Sequence, residues 1–137
     1  MIREIIRDQF FLRMPSRPAT AGDTSIADDL VETLGGNADR CVGMAANMIG
    51  ENVRIIAFFD DGGRIVEMFN PVLLRGDHPY QTQESCLSLE GSRPARRYQS
   101  IRVQWQTREF KSRIRSFSGF TAQIIQHELD HLEGTLI

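Results

Sequence analysis

The sequence predicts an α+β fold in which antiparallel sheets pack around a C-terminal helix, on three observations. Residues 53–59 (V-R-I-I-A-F-F) and 64–70 (R-I-V-E-M-F-N) are rich in β-branched and aromatic residues, and the D-D-G-G stretch at 60–63 between them is strong turn chemistry. Two further runs alternate, strictly at 101–106 (I-R-V-Q-W-Q) and more loosely at 109–117, as half-buried antiparallel strands do. The last stretch, opened by Ser118-Gly119, reads as a helix over 119–132. Strands followed by a helix are the order of an α+β domain.

Upstream, Ile26, Leu30, Val31 and Leu34 recur at helical spacing, and Gly35-Gly36 stops the pattern, which places a helix over about 25–34. The chain has 137 residues, 41% hydrophobic and 25% charged, which fits a single domain spanning 1–137 with one core. A formal net charge of -2 gives no basic field for a phosphate backbone, so no direct nucleic-acid partner is expected. No apolar run approaches the roughly 20 residues that span a bilayer, and the charged start M-I-R-E-I-I-R-D is unlike a signal peptide, so the expectation is a cytoplasmic protein without a membrane partner. In a reducing compartment Cys41 and Cys86 are expected as free thiols or metal ligands.

Chemistry concentrates in I-I-Q-H-E-L-D-H-L-E-G at 124–134, which holds two of the three histidines of the chain. Residues four apart share one helix face, so His127 and His131 can aim at a common point with Glu128 beside them. In this H-E-x-x-H arrangement two neutral imidazoles hold a divalent metal and the glutamate acts on the water that metal activates. A catalytic metal needs a third protein ligand, and Cys86 in E-S-C-L-S at 84–88 offers one from a strand or strand edge. Taken alone, the histidines could cap a polar stripe, and the cysteine could be a small buried hydrophobe.

Taken together, E-x-C-L-S, the later Q-H-E-x-D-H-L and the earlier G-x-A-A at 43–46 resemble the three signature motifs of peptide deformylases, from about Cys41 to the C-terminus. The resemblance implies a metal-dependent amidase that removes the formyl group from N-formylmethionine at the start of nascent polypeptides. It implies one divalent ion, Fe(2+) with Zn(2+) or Ni(2+) as alternatives, held by Cys86, His127 and His131. It further implies Glu128 as catalytic acid and base, the Leu87 N–H as an oxyanion donor, and Glu84 as the group that orients a ligand histidine. Gly43, Met44, Met48, Arg93 and Ile124 are the candidate substrate-binding residues, and an N-formylated peptide or nascent chain is the partner.

The chain departs from the family pattern in places. Where the family has glutamine as a second oxyanion donor, this chain has Met48, and a thioether cannot donate. Asn47, one position early, would point to the other face if the segment is extended. Ser85 and Cys41 replace glycines of the pattern, and the helix many deformylases carry further on is not expected after Ile137. These departures predict weakened activity; the alternative is a deformylase-like metal-binding protein with another acyl-amide substrate or no turnover. Asp130 is expected to form an ion pair with a nearby arginine, and His78 to lie on the surface.

Overall fold

The computed structural model describes residues 1–137. Five strands form one sheet in chain order, β1 (Gly43–Ala45), β2 (Ile55–Phe59), β3 (Ile65–Cys86), β4 (Leu89–Gln106) and β5 (Ser112–Ser118), with every neighbouring pair antiparallel. A short helix α1 (Gln9–Leu12) and a longer α2 (Thr24–Gly36) precede the sheet, and α3 (Gly119–Leu132) follows it. The predicted hairpin is present: Asp60 Oδ1 accepts the Gly62 and Arg64 N–H groups and so fixes the turn between β2 and β3.

The apolar run of β2 does not alternate because both faces are buried. Ile55 and Ala57 pack into one core with Ala27, Leu30 and Leu34 of α2, while Ile56 and Phe58 pack into another with Ala122, Ile125 and Leu132 of α3. The sheet is therefore a middle layer, with α2 on one face and α3 on the other. Full burial of a side chain such as Phe58 or Ile125 contributes about 1.5–3 kcal/mol. Met44 and Ala45 of β1 divide between the same two cores, so this three-residue strand is pinned from both sides.

β3 and β4 extend well past the predicted runs. Their hairpin continues from Phe69↔Gln106 to Cys86↔Leu89, through register shifts at Phe69/Val72, Leu73/Arg75 and Ser85/Cys86. The first shift accommodates Pro71 and a left-handed Asn70 (φ 52°), whose side chain bonds both backbone groups of Ala19. The hairpin thereby delivers Glu84 and Cys86 to the buried side of α3. On the opposite side, β1 runs into a 3-10 turn at Ala46–Ile49, closed by Gly50 at φ 89°.

Candidate metal centre and catalytic cavity

Cys86 is the last residue of β3, and after it the chain turns through Leu87-Ser88 into β4. The Ser88 N–H points back at Cys86 Sγ at 3.4 Å. His127 and His131, one turn apart on α3, bring their Nε2 atoms to 3.2 Å of each other, and Cys86 Sγ lies 3.3 Å from His131 Nε2. All three donor atoms fall within 4.8 Å of one another. Tetrahedral bonds of about 2.0–2.1 Å to nitrogen and 2.3 Å to sulfur would place such atoms about 3.3–3.6 Å apart. The spacings of 3.2 and 3.3 Å come close to that, and the thiol and two imidazoles have the chemistry of a borderline-soft divalent metal site.

Glu84 fixes one side of the cluster. Its Oε1 accepts His127 Nδ1 at 2.8 Å and Arg97 Nη2 at 2.7 Å, and its Oε2 accepts Arg97 Nε at 2.9 Å and Gln123 Nε2 at 3.0 Å. With Nδ1–H given to a carboxylate, the His127 lone pair at Nε2 faces Cys86 and His131. Burial opposes the charge of Glu84, yet His127, Arg97 and Gln123 hold its pKa down at about 2. Arg97 also donates to Asp130 at 2.8 Å, the ion pair expected for that residue.

Glu128 has the opposite surroundings. It is buried beside the cluster, Oε1 has no hydrogen-bond partner, and burial raises its pKa to about 7. Its side chain lies against β1 so closely that a Cβ on Gly43 would stand 2.9 Å from Glu128 Oε2 and 2.6 Å from Ile124 Cγ2. Glycine at 43 is what lets the helix approach the strand. His131 Nδ1 is likewise buried without a partner, and burial, then the neighbouring His127, lower its pKa to about 3.

A cavity of about 490 Å³ opens onto this cluster. Its wall includes Glu84, Cys86, Leu87, His127 and Glu128, and also Gly43, Met48 and Ile124, which the sequence marked for substrate. His131 closes the cluster from behind and is fully buried. Two expected substrate residues are elsewhere. Met44 is packed in the core with α2, because its place on β1 turns it away from α3. Arg93 donates to the Glu90 and Gly91 carbonyls of its own hairpin and is absent from the cavity wall. Asn47 also needs correcting: its segment is a 3-10 turn rather than an extended chain, and its buried Nδ2 donates to the His131 carbonyl at 3.0 Å.

Sequence reasoning passed over the partners of Glu84. Arg97 lies four residues beyond Arg93, the residue directly opposite Glu84 in the hairpin, and an even offset keeps it on the same sheet face. The register sets Arg97 opposite Tyr80, so its bonds to Glu84 come from the reach of a long side chain along the shared face. Gln123 lies one helical turn before His127, on the face that meets Glu84 once α3 is laid against β3.

A thiol and two imidazoles converging beside a partnerless glutamate, on a helix laid across an antiparallel sheet, define a metal-dependent hydrolase. The chain belongs to the polypeptide deformylase family, which matches residues 2–137. It is 50% identical over 137 residues to a peptide deformylase of Clostridium beijerinckii, with both chains covered completely. It is 31% identical to a peptide deformylase of Thermus thermophilus, over 91% of this chain and 74% of that one. Among solved structures, a peptide deformylase from Thermotoga maritima superposes with a TM-score of 0.88 at 27% identity, over 99% of this chain and 95% of that one. One from Legionella pneumophila gives the same score and identity over 99% and 83%.

Proposed function

We propose that this protein hydrolyses the N-formyl amide of formylmethionine at the start of nascent polypeptides, using one divalent ion held by Cys86, His127 and His131. Family membership supports the reaction, and the observation that carries the site is the convergence of these three donor atoms beside Glu128. Fe(2+) is the proposed native ion, with Zn(2+) or Ni(2+) as functional alternatives. Bound there, the ion supplies a Lewis acid for water and for the formyl oxygen.

The residues of the chain do the rest. Glu128, with a pKa raised towards neutrality, takes a proton from the attacking water and passes it to the departing amine. One water is consumed; the C–N bond breaks, and formate and a free α-amine leave. The Leu87 N–H, in the turn after Cys86 and outside the strand ladder, donates to the formyl oxygen as negative charge grows there. Glu84 keeps His127 in the tautomer that presents Nε2. β1 is an edge strand, paired only with β2, and Gly43 allows a substrate backbone to lie close against it as an added strand. Ile124 and Met48 give the methionine side chain apolar contacts.

Met48 lies in the cavity wall but brings no donor, so the Leu87 N–H is left without a side-chain partner in donating to the growing charge, and turnover is expected to be slower for it. No helix is long and apolar enough to cross a membrane, and a cytoplasmic location beside newly made chains belongs to the same reading. Protein purified anaerobically and loaded with Fe(2+) should release formate from formyl-Met-Ala-Ser. No release with Fe(2+), Ni(2+) or Zn(2+) would overturn the reading.

A further inference from the structure

Arg40 is the only arginine or lysine side chain in the wall of the cavity. It follows α2 at the exposed end of the wall, and its guanidinium is held from behind. Nε and Nη2 both donate to Asn37 Oδ1, at 3.3 and 2.9 Å. Asn37 is itself buried and anchored, its Nδ2 donating to the Thr33 carbonyl at 2.8 Å. The Arg40 N–H closes the same turn on the Asn37 carbonyl at 3.0 Å. Nη1 makes no hydrogen bond within the protein and no carboxylate pairs with this guanidinium, in contrast to Arg97 with Glu84 and Asp130, so a cation is presented to the cavity already oriented.

The distance to the reacting centre decides what that cation can read. Gly43 touches Glu128, and Arg40 is three residues earlier, so the two lie at most about 10 Å apart along the chain. A peptide extended along this edge advances about 3.3 Å per residue. With its formyl group at Glu128, its second and third residues therefore fall within reach of the Arg40 side chain. The other ionisable groups of the wall near the cluster are Glu84, already saturated with donors, Glu128, and the proposed ligands Cys86 and His127, none of them free to pair with a downstream substrate charge. Arg40 thus sets the sign of the charge met by the downstream part of the substrate.

We propose that Arg40 is a specificity residue which binds a carboxylate at the third residue of the formylated substrate, so that this enzyme favours nascent chains with an acidic residue two positions after the formylmethionine. The proposal rests on the deformylase reading above, and the test separates the two. The metal-loaded protein is given formyl-Met-Ala-Glu-Ala amide, its Gln counterpart and its Lys counterpart at low salt. KM for the Glu peptide should be about three-fold below that for Gln, with Lys weaker still and kcat little changed, a difference of the size exposed charge pairs produce. Raising the salt to about 0.5 M should shrink the gap, since charges at this exposure are screened. Arg40→Gln should bring the Glu/Gln ratio to about one, Arg40→Lys should retain part of it, and Arg40→Glu should reverse the order towards the Lys peptide. Equal KM for the three peptides on the wild-type protein, or an undiminished preference in Arg40→Gln, would overturn the proposal while leaving deformylation intact. Turnover of none of the three would overturn the deformylase reading and the proposal with it.

Discussion

Glu84 and Glu128 line one cavity at similar depth, yet they are opposite in kind. The first accepts four N–H donors and is held at a pKa of about 2; the second has a buried oxygen without a partner and is raised to about 7. The histidines follow their neighbours. His127 is oriented through Nδ1 by Glu84, whereas His131 has a partnerless Nδ1 and is located by packing and by the grip of Asn47 on its carbonyl. The lesson is that β3, β4 and the start of α3 build a saturated side that holds geometry, while β1, the 3-10 turn and the end of α3 build an unsatisfied side that is free to move protons. Two carboxylates pushed apart in this way are the pattern on which the reacting role is proposed for Glu128 and the orienting role for Glu84.

The hardest blow to this contrast is Glu128→Ala. It should lower kcat by about 10²–10⁴ while metal content by elemental analysis stays near one ion per chain. Loss of the ion would instead make Glu128 a ligand or a necessary support. Glu84→Gln acts on the other side, and chelator competition should show metal affinity falling about 10–100-fold. The same variant leaves Arg97 buried with only Asp130 for a charge partner and should lose about 3 kcal/mol in denaturant unfolding. Metal affinity unchanged in Glu84→Gln would mean that His127 needs no such partner.

Gly43→Ala sharpens the comparison without removing a polar group. The added methyl must push Ile124 or Glu128 aside, so kcat should fall about ten-fold with metal retained. Met48→Gln tests the unsatisfied side by adding a donor. It should raise kcat several-fold with little change in KM, less than a well-placed oxyanion donor contributes, because residue 48 also packs in the core. A well-folded variant with no gain would remove position 48 from the oxyanion site. The smallest effect is on acid stability. The pKa of Glu84 lies below its ordinary value of 4.5, so its contribution is full above about pH 4.5 and fades as the pH falls towards 2. Thermal melts between pH 5 and 3 should show wild type losing more stability than Glu84→Gln.

What could be read from the sequence follows the range of the interactions. The hairpin over residues 60–63 and the helix carrying His127 and His131 depend on neighbours a few positions away, and both were legible. The long arms of β3 and β4 were not, because Pro71, Gly76, Pro79 and Pro94 read as breakers where the sheet absorbs them with bulges and close packing; the Tyr98 ring lies over Gly76, where a Cβ would stand 2.3 Å from it. Glu128 followed from its place between the two histidines and Cys86 from the need for a third ligand, whereas Glu84 was found only through motif resemblance. Arg97 and Gln123 were missed because their roles depend on hairpin register and on helix placement against a strand. Arg93 drew attention at the expected motif spacing, but its side chain satisfies the carbonyls of its own turn.

The bond from Asn47 to the His131 carbonyl joins residues 84 positions apart, and Cys86 lies 45 positions before His131. Closing loops of such length costs chain entropy before the contacts repay it, which slows folding. On a translating ribosome, the segments carrying Gly43 and Cys86 emerge well before the helix that completes the cluster. The three donor atoms therefore come together only once α3 has docked, and an ion that needed all three would have to wait for that step.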